Sequence, residues 1–182
     1  MYRHVRAGAA NLINGVADAA QDRVPLLVIT SQVESWYVGT NHKQYFDHLS
    51  LYRPFTTYTT MLANPQSTVE VLTHAIKAAV TGRMVSHVSI PKDLFAMAAP
   101  AAIRPPETYL LTRPISPPEV IDGVLPILNQ ARQPVILAGR GTKGYTAELT
   151  AFAEQWGAGI VHTMPATGVV PCAHPLPWEV SA

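Results

Sequence analysis

Arg6-Ala-Gly-Ala-Ala-Asn-Leu-Ile-Asn-Gly-Val-Ala-Asp-Ala-Ala-Gln-Asp-Arg-Val-Pro-Leu-Leu-Val-Ile-Thr-Ser-Gln-Val33 decides the fold class. A glycine turn at Arg6-Ala7-Gly8 opens an alanine-rich helix expected over residues 11–21. Alanine favours that helix, and Asn14, Asp18 and Asp22 space its polar side. Pro25 lacks the N–H needed to continue it. The apolar run from Val24 to Thr30 then reads as a strand buried on both faces of a parallel sheet.

Working outward, the same alternation repeats. Residues 31–47 hold little periodicity and read as an exposed loop around Gly39-Thr-Asn-His42, with strand composition returning from Phe55 to Thr60. Asn64-Pro65 is a helix start, with Asn as cap and Pro in the first turn. Val69, Leu72, Ala75, Ile76, Ala79 and Val80 recur at helical spacing, and Gly82 is placed to end the helix before a strand from Val85 to Ile90. Six prolines between Pro100 and Pro118 mark a linker. Beyond it Ser116-Pro-Pro-Glu119 reads as a capping box, opening a helix to about Gln130 that Pro126 should kink or break. Pro134 to Ala138 is a second buried-type strand, Gly139 to Gly144 a glycine turn, and Leu149, Phe152, Ala153 and Trp156 the stripe of a helix stopped by Gly157. Ile160 to Thr163 is the last strand. The expected fold is α/β: parallel sheets with crossover helices in two successive, individually incomplete units. Residues 1–99 and 116–182 form the two units and 100–115 the linker.

Composition narrows the function classes. The 182 residues are 48% hydrophobic and 14% charged, the balance of a cored globular chain. Thirteen Lys and Arg against twelve Asp and Glu leave a net charge of +1, without the basic stripe of a nucleic-acid binder. The apolar runs are too short to span a membrane, and Met1-Tyr-Arg-His4 has no apolar signal core, so the expected location is cytoplasmic. A single cysteine, Cys172, cannot form an internal disulfide and reads as an inert loop residue.

The order of these segments resembles the thiamine diphosphate enzymes of the acetolactate synthase and pyruvate oxidase type. The opening stretch is similar to that family's G-P-G-x-x-N…ADAxxDxxPxxxxTGQ segment in the pyrimidine-binding domain. Gly39-Thr-Asn-His-Lys-Gln-Tyr-Phe-Asp-His-Leu49 resembles its glutamine loop, and Ser89-Ile-Pro-Lys-Asp93 the strand end that closes the domain. Leu128 to Gly139 and Gly168 to Leu176 resemble the first half of the central domain. The resemblance implies that residues 1–99 are the later part of the pyrimidine domain and 116–182 the early part of the central domain. It implies thiamine diphosphate with Mg2+ as the parent enzyme's cofactor, a 2-keto acid such as pyruvate as substrate, and a homo-oligomer, dimer or tetramer. In the family a glutamate activates the cofactor's thiazolium carbon, which adds to the keto acid; carbon dioxide leaves and the cofactor ring is the electron sink. That glutamate belongs to an earlier part of the family's first domain. The third domain's G-D-G…N-N magnesium signature does not occur in these residues. A segment inactive by itself is therefore the expectation, contributing cofactor-pocket wall and dimer surface.

By the same resemblance Asn11 and Gln44 are candidate thiamine diphosphate contacts. Asn11 reads equally as a helix cap. Two departures stand out: Arg6-Ala7-Gly8 replaces G-P-G, and Tyr45 replaces the acidic residue after the glutamine. Where relatives carry flavin, Gly139, Arg140, Gly141, Thr163 and Met164 match FAD-binding positions. Gly139-Arg-Gly-Thr-Lys-Gly144 also fits G-x-G-x-x-G between strand and helix, but Ile160-Val-His-Thr-Met-Pro165 lacks the acidic residue a nicotinamide site requires. His42 and His48 read as solvated loop imidazoles, and Asp18 and Asp22 as a solvated helix face or a partner for Arg23. The rival expectations are a non-catalytic nucleotide-binding or interaction module using the Gly139 turn, and a decayed gene fragment without selected function.

Overall fold

The computed structural model describes residues 5–100 and 115–171, the side chains of residues 5–7 excepted. The linker from 101 to 114 and Cys172 lie outside the described residues. The chain forms two compact units, Met1–Arg113 and Pro114–Ala182. Both are α/β with parallel strands.

In the first unit, α1 (Val5–Asn11) and α2 (Ile13–Gln21) lead into β1 (Leu26–Gln32). After a loop come α3 (His48–Tyr52), β2 (Thr56–Met61), α4 (Thr68–Gly82) and β3 (Val85–Pro91). The strand order is β1-β3-β2, which places β3 in the centre. The glycine turn expected at Arg6-Ala7-Gly8 is not formed. Helix begins at Val5 and is interrupted only at Leu12, because Gly8 sits in a helix and costs stability without forcing a turn.

Alternation along the strands separates two cores. Leu62, Ala75, Val88, Ile90 and Leu94 fill the α4 side, where Ala75 and Ala79 bring the helix close. Val16, Val28, Tyr52 and Val85 fill the opposite side, under α2 and α3. Asn64 caps its turn as the sequence implies, its side chain accepting from the Gln66 amide at 2.9 Å. The strand buried on both faces is β3, not the segment from Val24: every residue from Val85 to Pro91 is buried, whereas Val24 and Ile29 are exposed. The cause is position, since β1 is an edge strand of this three-stranded sheet.

The second unit holds α5 (Pro118–Asn129), β4 (Val135–Ala138), α6 (Thr146–Trp156) and β5 (Gly159–His162). β4 pairs in parallel with β5, and Ala138, Leu149, Ala153, Ile160, Val169 and Val170 pack between sheet and helix. β4 is buried on one face only, with Val135 and Leu137 outward. The capping box does not form, for Pro117 is the cap and no side-chain bond closes it. Pro126 lies within a continuous α5, and the Trp156 indole N–H donates to the Leu128 carbonyl at 3.2 Å. Gly157 ends α6 in the left-handed region, φ 68°, as its sequence position requires.

Candidate functional site

Open α/β sheets take ligands at the carboxyl ends of their strands. In the first unit those ends carry an open cleft of about 820 Å³ lined by Ser31, Glu34, Trp36, Lys92, Asp93 and Phe95. Its rim is tied by charge. Lys92 Nζ lies 2.7 Å from Glu34 Oε1, and this hydrogen-bonded ammonium holds the Glu34 carboxyl below its usual range. The amide and hydroxyl of Ser35 donate to Asp93 at 2.8 and 2.7 Å. Burial pushes the Asp93 carboxyl up, but these bonds outweigh it and hold it low. Trp36 and Phe95 remain exposed at the mouth. The segment Ser89-Ile-Pro-Lys-Asp93 was the sequence signal for this edge; the aromatic pair and the Glu34–Lys92 bridge had no such signal.

The segment that carries Gln44 is anchored to the same strand ends. Gln32, buried at the end of β1, donates through Nε2 to the Phe46 carbonyl at 3.0 Å, while its Oε1 accepts from the Val33 amide at 2.9 Å. Within the loop, Gly39 takes φ 80°, the Thr40 hydroxyl donates to the Tyr37 carbonyl at 2.7 Å, and His42 stacks on Tyr37 at 4.0 Å between centroids. The Tyr45 amide donates to the His42 carbonyl at 3.0 Å. These bonds make the 33–47 segment an ordered turn. Asp47 caps α3, accepting from the Ser50 amide at 3.0 Å; the Ser50 hydroxyl and amide together hold its carboxyl low.

His48 is not a solvated loop residue. It opens α3 at 1% exposure, because the Phe46 anchor turns the chain inward one residue before the cap. Its Nδ1 lies 3.0 Å from Thr30 Oγ1 and 3.2 Å from Ser89 Oγ. His87, fully buried in β3, completes the group: Nε2 is 2.8 Å from Thr30 Oγ1 and Nδ1 2.7 Å from Thr59 Oγ1. Burial lowers the pKa of both imidazoles to about 4. Asp47 partly opposes the shift at His48, and His48 adds to it at His87.

Asn11 ends α1, exposed, and caps nothing: the residue before α2 is Leu12, without a side-chain cap bond. Helix α1 is fastened to the core by the buried Tyr52 hydroxyl, which donates to the Ala9 carbonyl at 2.6 Å. Gln44 is half-buried in the ordered turn. Among the described residues neither side-chain amide is used in a hydrogen bond.

In the second unit the pairing of β4 with β5 brings the five flavin-matched positions to one end. Gly139-Arg140-Gly141 follows β4, Thr163-Met164 follows β5, and the Thr163 amide donates to the Ala138 carbonyl at 3.0 Å. Two amides of the turn, those of Thr142 and Lys143, donate back to the carbonyls of Gly139 and Arg140, and the Tyr145 amide donates to the Thr142 carbonyl. The G-x-G-x-x-G turn is thus partly closed on itself. Asp18 on α2 and Asp22 at its C-terminal cap are both exposed. No group of three or more His, Cys, Asp or Glu suited to a metal occurs among the described residues. No helix there is long and apolar enough to cross a membrane.

Comparison with known proteins decides the family. Residues 2–51 match the thiamine pyrophosphate enzyme N-terminal TPP binding domain, and residues 121–180 the thiamine pyrophosphate enzyme central domain. The chain belongs to the thiamine pyrophosphate enzyme family. It is 37% identical over 175 residues to the acetolactate synthase large subunit of Corynebacterium glutamicum, covering 93% of this chain and 28% of that protein. It is 29% identical over 170 residues to the acetolactate synthase isozyme 1 large subunit of Escherichia coli, covering 93% and 30%. With the chloroplastic acetolactate synthase 1 of Zea mays it shares 31% over 174 residues, covering 93% and 27%. The chain therefore spans under a third of the length of these relatives.

Proposed function

We propose that the chain is a segment of a thiamine diphosphate-dependent 2-keto acid decarboxylating or carboligating enzyme of acetolactate synthase type, and that it supplies cofactor-pocket wall and dimer surface. One observation carries the reading. The ordered turn bearing Gln44 is pinned by Gln32 to the carboxyl end of β1, the edge where an α/β sheet presents ligands, and among the described residues its side-chain amide makes no hydrogen bond. Asn11, the other candidate contact, is likewise free among the described residues. These amides suit a neutral, hydrogen-bonding heterocycle such as the aminopyrimidine ring. The bound cofactor, with Mg2+ at its pyrophosphate, supplies the electron sink for decarboxylation. The chain's own groups position and enclose it.

The gathering of Gly139, Arg140, Gly141, Thr163 and Met164 favours a subordinate reading, in which this end of the second unit faces FAD in the intact parent.

The test is a backbone and side-chain amide NMR titration of the full chain with thiamine diphosphate and Mg2+, and separately with a nucleotide, alongside a pyruvate-consumption assay. The expected result is weak, saturable shifts at Asn11, Gln44 and the end of β1, with no turnover. Shifts confined to 139–144 on adding a nucleotide, with none from thiamine diphosphate, would replace this reading with a nucleotide-binding module. Pyruvate consumption by the chain alone would refute its catalytic silence.

A further inference from the structure

We propose that His48 and His87, joined through Thr30, form an acid-released latch: the turn carrying Gln44 is held against the sheet while both imidazoles are neutral and is freed when His48 takes a proton. The importance of that turn rests on the function proposed above. The latch itself rests on the hydrogen-bonded geometry of the two rings, with their burial setting the pH range.

Thr59 on β2, His87 on β3, Thr30 on β1 and His48 on α3 make a continuous line of contacts at 2.7, 2.8 and 3.0 Å. Ser89 joins at His48 Nδ1. The Thr30 hydroxyl has one proton to give, so it donates to one ring and accepts from the other. Neutral imidazoles, with one N–H and one lone pair each, satisfy this line in either direction. A protonated His48 carries N–H on both nitrogens. Its Nε2 is buried without a hydrogen-bond partner among the described residues, so a charged ring would be enclosed with one donor unanswered.

The groups facing the two rings give that charge little relief. Thr30, Ser89 and Thr59 are neutral, the Phe46 ring meets His48 edge-on at 4.4 Å, and the Tyr52 ring stacks on His87 at 4.1 Å. The Tyr52 hydroxyl, whose pKa burial raises above its ordinary 10.0, is neutral throughout this range and offers no charge. Asp47 is the carboxylate that favours a charged His48, but it is exposed and engaged by Ser50. The second histidine repels. Burial dominates, and the closed state holds both rings at about 4 against the ordinary 6.5. A state in which His48 reaches water regains the ordinary value, so opening is promoted as pH falls from about 6.5 toward 4.

His48 yields before His87 for a topological reason. His87 is locked in β3, hydrogen-bonded to strands on both sides. His48 sits on the five-residue α3, two residues beyond the Gln32 anchor at Phe46. Local opening of a short helix and its preceding turn costs less than breaking the central strand.

The experiment is amide hydrogen exchange by mass spectrometry on the full 182-residue chain without cofactor, from pH 7.5 to 4.5, corrected for intrinsic exchange. Without denaturant, the expected result is a loss of protection of about ten-fold or more across residues 40–52, larger than any loss at β3, and no such excess loss in His48→Leu. Unchanged protection, a loss of equal size across the whole first unit, or an identical pH response in His48→Leu would each overturn the latch. If His48→Leu does not fold, imidazole NMR titration of the unaltered chain decides. A His48 midpoint well below 6.5, with loop resonances moving at that midpoint, supports the latch; an ordinary midpoint refutes it. Cofactor is absent throughout, so failure here leaves the thiamine diphosphate titration standing, and the reverse.

Discussion

Arg83 closes α4 at φ 46° and ψ 54°, the left-handed conformation that helix ends usually give to glycine. The sequence offered Gly82 for that task, and the helix runs one residue further. Gly82 instead lies in the last turn, where an added Cβ would meet Thr57 at 3.5 Å, ordinary contact. The left-handed cost of about 1–2 kcal/mol therefore falls on an arginine, offset in part by the smaller unfolded-state entropy of a non-glycine residue. Arg83→Gly is expected to raise stability by up to about 1 kcal/mol, seen as a higher urea midpoint at unchanged slope, while Arg83→Ala gives no gain. A lower midpoint for the glycine variant would show that the arginine side chain outweighs the backbone term. The same one-residue scale limited the reading of His48: loop composition around it suggested solvent, and only the Gln32–Phe46 anchor, a contact across fourteen positions, turns it inward.

At the scale of elements, most of the architecture was legible. The Pro25 break, the Asn64 cap and the Gly157 terminator act locally, and each left its boundary within a few residues of the observed one. Burial was less legible because it depends on which strand becomes central. β3 contains Ser86, His87 and Ser89, an unpromising composition for a doubly buried strand, and the histidine and Ser89 are accommodated by partners on β1, β2 and α3. A local motif, Ser89–Asp93, marked the strand end that supplies Lys92 and Asp93 to the cleft. The Tyr52 contact was not legible, since it joins α3 to α1 across forty-three positions. Tyr52→Phe keeps the ring on His87 but leaves the Ala9 carbonyl without its donor, at a cost of about 1–3 kcal/mol. Denaturant melts should show that loss, and exchange should show it concentrated in α1. A phenylalanine variant as stable as the parent would mean that water replaces the hydroxyl there.

At the scale of the first unit, the buried groups set a pH window for stability. A histidine whose folded pKa is depressed binds fewer protons folded than unfolded between the two values, so stability rises with pH across that interval. For His48 and His87 the interval runs from about 4 to 6.5, worth at most about 3 kcal/mol apiece and less together because the rings are coupled. The lowered carboxyls of Glu34, Asp47 and Asp93 act in the same sense, adding stability that is lost as pH falls through their folded values. Tyr52 sets the alkaline limit. Its pKa is raised from 10.0 by burial, so its contribution is complete below 10.0 and is lost as pH climbs through the folded value. The first unit should therefore be most stable between about 6.5 and 10, weakening on both sides. Exchange protection of β3 amides under mild urea, compared at pH 4.5, 7.5 and 10.5, reads this directly. Equal protection at 4.5 and 7.5 would mean that the fold relaxes enough for the two histidines to take protons at their ordinary value, and that burial does not hold them neutral.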